Sequence, residues 1–284
     1  MRYASYEIDG RTSWGAVTDA GIVDLAPAFA SQYPDLKSVI AAGFPAEVVE
    51  AAGGSATHAL DAVTWLSPVP NPDHLWCLAV NYVEHHAEVV GAGRVQELPK
   101  KPALFMRWID TFTGHNTALE TPSVSEQFDY EGELGVIIGK GGRNIAEADA
   151  LSHVAGYTVI NEGSVRDWQF HTKQITPGKN FYHSGGIGPW MVTADEVADP
   201  YALSIQTRLN GELLQDGTSA DMVHRIEAFI AYASTILPLK PGDILSTGTP
   251  SGVGFSRTPP VFMKPGDTVE ITIESVGTLT NTVK

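Results

Sequence analysis

Residues 222–237 form the longest run of apolar side chains at helical spacing in this chain. Met222, Ile226, Phe229, Ile230, Ala233, Ile236 and Leu237 share one face, Ser219 or Asp221 offers a cap, and Pro238 offers a stop. The rest breaks into short β-prone runs closed by turn residues. Residues 2–8, 12–17 and 22–25 read as strands separated by Asp9-Gly10 and Asp19-Ala20-Gly21. Residues 204–209 run into Asn210-Gly211, a dipeptide suited to a type I′ hairpin, and 212–214 return. Strands are expected at 75–80, 134–138 and 156–160, and helical segments at 36–42, 45–52 and 81–90. A Lys-Pro-Gly-Asp turn occurs at 240–243 and again at 264–267, each time ahead of a β-prone run, with Pro and Gly placed for a type II turn. One long helix among many short strands, without regular strand–helix alternation, predicts an α+β, β-rich barrel or roll and excludes a doubly wound sheet.

Ser67-Pro68-Val69-Pro70-Asn71-Pro72-Asp73 places three prolines within five residues, which suits neither a helix nor a central strand. It is expected to separate a small N-terminal unit, residues 1–70, from a main domain, residues 71–284. With 18 basic and 33 acidic residues the net charge is −15, and no basic cluster exceeds Lys100-Lys101, which disfavours a nucleic-acid partner. The acidity has two readings: a solvated surface, or carboxylates gathered to hold a cation. Cys77 is the single cysteine, so no internal disulfide forms, and its apolar surroundings suit a core position better than a nucleophile. No apolar run approaches the roughly 18 residues of a membrane span, and the N-terminus lacks an apolar signal core. A cytoplasmic protein without a membrane partner is expected.

Five segments can carry chemistry. In Asp129-Tyr130-Glu131-Gly132-Glu133-Leu134, Glu131 and Glu133 at i and i+2 point to one face of a strand. Like charges that close favour a hard divalent cation between them; the alternative is a pair of solvated glutamates. In Asn161-Glu162-Gly163-Ser164-Val165-Arg166, a strand ends at Glu162 and Ser164 can cap a short helix carrying Arg166 and Gln169, the alternative being an Arg166–Glu162 surface pair. In Asn81-Tyr82-Val83-Glu84-His85-His86-Ala87-Glu88, His85 and Glu88 are i, i+3 neighbours that can form a general-base dyad, with His86 on a solvated face. The glycines of 176–180 and 245–254 let backbone approach a ligand closely, with Lys179 and threonine hydroxyls available for an oxyanion. No P-loop and no Gly-x-Ser-x-Gly elbow is present.

Taken in order, these segments resemble the fumarylacetoacetate hydrolase family. The pattern is carried by Asn81-Tyr-x-x-His85-x-x-Glu88, Pro102-Ala-Leu-Phe105, Asp129-Tyr-Glu-Gly-Glu-Leu134, Gly156-Tyr-Thr-Val with Ser164-Val-Arg166-Asp167-x-Gln169, Gly178-Lys179, Gly188-Pro189-Trp190, Thr247-Gly-Thr-Pro-Ser-Gly-Val-Gly254 and Lys264-Pro-Gly-Asp267. The resemblance implies a mixed β-sandwich roll with a small N-terminal α/β unit, usually a homodimer. It also implies a divalent cation, Mg²⁺ first and Mn²⁺ or Ca²⁺ as alternatives, held by Glu131, Glu133 and Glu162. His85, Glu88 and Lys179 would then be catalytic, and Arg107, Arg166, Gln169, Thr249 and Tyr130 would bind a small anionic 2-oxo acid. The implied reaction is hydrolysis of a C–C bond in a 2,4-dioxo acid, with water activated by the His85–Glu88 dyad. The alternatives are decarboxylation, isomerisation or hydration of a related oxaloacetate-like acid, or a non-catalytic binding role. Two positions depart from the family pattern: Glu162 where Asp is usual, and Arg107 where many members carry Lys. Specificity is expected from lid segments 91–101 and 170–176.

Overall fold

The computed structural model describes residues 1–91, 93 and 97–284; of the expected lid segment 91–101, positions 92 and 94–96 lie outside the described residues. Strands β1 (Arg2–Ile8), β2 (Arg11–Thr18), β3 (Gly21–Asp24) and β4 (Thr64–Trp65) come from the N-terminal part. They are followed by β5 (Leu75–Ala79), β6 (Ala103–Met106), β7 (Phe112–Thr113), β8 (Phe128–Asp129), β9 (Gly132–Ile138), β10 (Val154–Asn161) and β11 (Ser164–Val165). The last are β12 (Gly185–Thr193), β13 (Ser204–Leu209), β14 (Glu212–Thr218), β15 (Ile244–Ser246), β16 (Thr268–Ile273) and β17 (Gly277–Thr282). An eleven-stranded sheet runs in the order β3-β2-β1-β12-β10-β9-β15-β5-β6, with β4 on β1 and β7 on β12. A second sheet has the order β14-β13-β16-β17, and β8 pairs with β11. Pairing is antiparallel apart from β15 on β5 and β7 on β12. β1 pairs with β12 through Arg2↔Val192 and Tyr3↔Met191, so the N-terminal strands extend the sheet that carries the site.

Alternation sorts the side chains of β9. Leu134, Val136 and Ile138 join a core with Ile205, Val269 and Ile271 of the second sheet and with Phe229 and Ile230 of the long helix. Ile137 instead joins Leu36, Val39 and Ile40 of the N-terminal helix Leu36–Ala41. Each fully buried side chain of this size contributes about 1.5–3 kcal/mol, so the register of β9 is strongly fixed. The same period of two puts Glu131 and Glu133 on the face of Ile137.

The long helix spans Ile226–Ile236, and neither Ser219 nor Asp221 caps it. Those residues form their own short 3₁₀ turn, Ser219–Asp221. The cap comes from elsewhere in the chain: the Tyr201 hydroxyl accepts the backbone N–H of Ile226 at 3.1 Å and donates to the Glu227 carboxylate. The local turns follow expectation, with Asn210 and Gly211 both at positive φ (52° and 83°), as a type I′ hairpin requires. Among the described residues no helix is long and apolar enough to cross a membrane.

Candidate active site

β9 and β10 run antiparallel with Glu133 opposite Ile160 and Gly132 opposite Asn161, so the residues just outside this pair, Glu131 and Glu162, meet. The Glu162 N–H donates to the Glu131 carbonyl at 2.8 Å, and the Glu131 N–H donates to Asn161 Oδ1 at 3.1 Å. Glu131, Glu133 and Glu162 are all buried, with one carboxylate oxygen from each lying within 4.8 Å of the others. Glu133 is held from the neighbouring strand, where Ser246 Oγ donates to its Oε2 at 2.6 Å and the Gly248 N–H at 2.8 Å.

Two cations balance this cluster. Lys179 Nζ lies 2.7 Å from Glu131 Oε2 and 2.8 Å from Glu162 Oε2. Arg166 Nη1 lies 2.6 Å from Glu131 Oε1, and its Nε donates to Asp129 Oδ2 at 2.7 Å. Arg166 thus forms buried pairs to Asp129 and Glu131 rather than the alternative surface pair with Glu162. Burial raises the pKa of Glu131, but Lys179 and Arg166 outweigh it and hold the carboxyl well below its ordinary range. Glu133 has no ion pair among the described residues, and burial together with the Glu162 and Glu131 charges outweighs the more distant Lys179 and pushes its pKa well up. Glu162 Oε1 is buried without a hydrogen-bond partner among the described residues, as is Arg166 Nη2. Three converging carboxylates, with one buried oxygen of Glu162 left without a partner, fit a hard divalent cation.

The cluster forms the floor of a cavity of about 500 Å³, and His85 and Val89 stand in its wall. They come from the helix Val83–Gly91, which Asn81 anchors: its Nδ2 donates to the carbonyls of Thr247 (2.8 Å) and His224 (3.0 Å). His85 Nδ1 is 3.1 Å from Glu88 Oε2, and Glu88 Oε1 accepts the Gly252 N–H at 2.7 Å. With a Glu88 oxygen accepting from Nδ1–H, the ring tautomer leaves Nε2 as the nitrogen that can take a proton. His86 is half-buried rather than solvated.

A family model for the fumarylacetoacetate (FAA) hydrolase C-terminal region matches residues 74–284. The chain belongs to the fumarylacetoacetate hydrolase family. Among curated relatives of this enzyme family, the mitochondrial oxaloacetate tautomerase fahd2 of Xenopus laevis is 40% identical over 248 residues, 84% of this chain and 76% of that protein. The oxaloacetate tautomerase YisK of Bacillus subtilis is 40% identical over 232 residues, 81% of this chain and 76% of that protein. The fumarylacetoacetate hydrolase of Exiguobacterium antarcticum superposes with a TM-score of 0.86 at 34% identity, covering 100% of this chain and 99% of that one. The maleylpyruvate hydrolase of Sphingobium sp. SYK-6, solved with manganese(II) ion and pyruvate, superposes at 0.81 with 30% identity, covering 100% and 98%.

In this member of the fumarylacetoacetate hydrolase family, the expected site residues fall into two groups. His85, Glu131, Glu133, Glu162, Arg166, Gln169, Lys179 and Thr249 line the cavity, and Glu88 supports His85 from behind. Gln169 accepts from Arg166 Nη1 at 3.0 Å through its Oε1. The Thr249 hydroxyl already donates to the Gly132 carbonyl at 3.0 Å and accepts from Gln215 Nε2 at 2.8 Å.

Arg107 and Tyr130 do not line the cavity. Arg107 is buried behind it, donating to Thr111 Oγ1 (3.2 Å), the Gly163 carbonyl (3.2 Å) and Ser184 Oγ (2.9 Å), with its guanidinium 4.2 Å from the Phe112 ring. Those partners occupy the donors that substrate would need, so Arg107 braces the peptide after Glu162. The Tyr130 hydroxyl donates to the Gly252 carbonyl at 3.1 Å, and Ser164 donates to the Glu162 carbonyl instead of capping the 166–169 helix.

Two glycines enforce close approach. A Cβ on Gly163 would lie 1.8 Å from the Ser184 carbonyl oxygen, and one on Gly178 would lie 2.3 Å from the Gln169 nitrogen. Sequence reasoning passed over Asp129, Ser246, Asn161 and Gln215, whose roles arise from contacts with residues distant in the chain. Cys77 is buried as expected, and burial, with the nearby Glu162 charge, pushes its thiol pKa well up.

Proposed function

We propose that the protein is a tautomerase of an oxaloacetate-like 2-oxo acid that interconverts its keto and enol forms. The reading rests on His85: its free Nε2 shares a cavity with a carboxylate cluster and two cations, a base beside a place for an enolate. The oxaloacetate tautomerases at 40% identity support it. Glu131, Glu133 and Glu162 would hold a divalent cation, Mg²⁺ or Mn²⁺, which supplies Lewis-acid polarisation of the substrate's 2-oxo group. Arg166 Nη2 and Gln169 bind the substrate carboxylate. His85 Nε2 takes the C3 proton, and Glu88 holds the ring and stabilises the imidazolium. Lys179 offsets the negative charge that develops on the C2 oxygen. The imidazolium then returns the proton to that oxygen to give the enol, or to C3 in the ketonising direction.

The test is the decay of the enol absorbance of freshly dissolved oxaloacetate. The protein should accelerate it in proportion to its concentration without releasing pyruvate, and decay at the buffer rate overturns the reading. The second reading is hydrolysis of an acylpyruvate, favoured by the likeness to the maleylpyruvate hydrolase. In that case His85 activates water, and two organic fragments appear.

A further inference from the structure

Among the described residues, one charged side chain of the cavity has no part in the network described above. Lys173 lines the cavity wall but is exposed and has neither an ion pair nor a side-chain hydrogen bond among the described residues. The other ionisable groups of the lining are tied to one another or to Ser246, Gly248 and Glu88. Lys173 sits at the tip of a closed turn: Thr172 Oγ1 accepts the Gln174 N–H at 3.0 Å and donates to the Gln174 carbonyl at 3.3 Å. Apolar side chains, Phe105, Phe170, Ile175 and Phe255, make up much of the rest of the wall.

A second carboxylate on a substrate would meet apolar surface and the negative charge of Glu131, Glu133 and Glu162 unless it had a cation of its own. Beyond their ion pairs to the carboxylate cluster, Arg166 and Lys179 serve the C1 carboxylate and the C2 oxygen, which leaves neither for a second carboxylate. We propose that Lys173 is a specificity-determining residue that takes the distal carboxylate of a dicarboxylic 2-oxo acid. The choice of a 2-oxo acid rests on the tautomerase reading; the second carboxylate rests on Lys173. A lysine suits this place because its long flexible stem lets the ammonium follow a carboxylate whose distance from the keto carbon varies between acids. A three-carbon acid has no group to reach it, so the residue separates diacids from monoacids.

Oxaloacetate and its 4-methyl ester, in which the distal carboxylate is masked, test this in the wild type, Lys173→Met and Lys173→Arg. Ketonisation rate and calorimetric binding are both measured in the presence of Mn²⁺. The wild type should prefer the diacid by roughly tenfold, the value of about one charge-assisted hydrogen bond. Lys173→Met should bring the preference close to one, and Lys173→Arg should keep most of it. A preference that survives in Lys173→Met overturns the assignment. If neither compound is ketonised but the calorimetric preference collapses in Lys173→Met, the tautomerase reading fails and the Lys173 assignment stands. If neither compound binds, both fail.

Discussion

The carboxylate of Asp129 accepts the Nε–H of Arg166 at 2.7 Å, with both side chains buried. The same carboxylate accepts the backbone N–H groups of Gly254 (2.8 Å) and Phe255 (3.0 Å), and the Phe255 ring lies 4.5 Å from the Arg166 guanidinium. Asp129 thus fixes at once the cation that holds Glu131 and the loop that shapes the cavity. Removing one partner of a buried pair leaves an uncompensated charge. Asp129→Ala is expected to lower stability by about 3–5 kcal/mol, read from the urea unfolding midpoint. A loss below about 1 kcal/mol, the level of an exposed pair, contradicts this role.

Ser246 tests the cation site without touching a carboxylate. Its hydroxyl donates to Glu133 Oε2 at 2.6 Å, and groups that orient metal ligands change affinity by about 10–100-fold. Ser246→Ala should weaken calorimetric Mn²⁺ binding by that factor while the protein stays folded. Unchanged affinity would mean that Glu133 does not hold the ion.

His85→Ala should lower the ketonisation rate by about 10²–10⁴-fold, the usual contribution of a positioned base. Mn²⁺ affinity should change little, because His85 is not among the three clustered carboxylates. Glu88→Gln should cost less, since an amide oxygen can still accept from Nδ1. Wild-type turnover in His85→Ala would move the base elsewhere.

Far from the cavity, His115 links stability to pH. Burial pushes its pKa down from 6.5 to about 4, and its Nδ1 accepts the Thr280 N–H at 3.1 Å, a bond that needs the neutral ring. Below pH 6.5 the unfolded chain takes up a proton that the folded chain refuses, so this contribution is complete above about 6.5 and is lost as pH falls towards 4. Discounted for partial exposure, it is on the order of 1–2 kcal/mol. His115→Gln should flatten the stability profile between pH 4 and 6.5. A profile unchanged from wild type contradicts the assignment.

What could be read in the sequence was short-range. The spacing of Glu131 and Glu133, the Asn210-Gly211 hairpin and the paired turns are decided by neighbouring residues. In both turns the Asp carboxylate closes back on the Lys backbone N–H, Asp243 to Lys240 at 2.8 Å and Asp267 to Lys264 at 2.7 Å. The place of Arg107 is not legible locally, because its donors go to Gly163 and Ser184, 56 and 77 residues away. Asp129 and Gln215 were passed over for the same reason: their partners meet only once the sheets have packed. The long helix shows both sides: Ile226, Phe229, Ile230 and Ala233 are buried as the spacing predicts, whereas Ile236 and Leu237 are exposed, and the cap is hidden because Tyr201 supplies it from another segment.

The claim that this family member moves a proton without breaking a C–C bond is tested most directly by following oxaloacetate in D₂O by proton NMR. The protein should speed exchange of the C3 protons for deuterium, His85→Ala should abolish the acceleration, and no pyruvate should accumulate beyond the buffer control. Exchange at the uncatalysed rate, or pyruvate appearing in step with substrate loss, would contradict it.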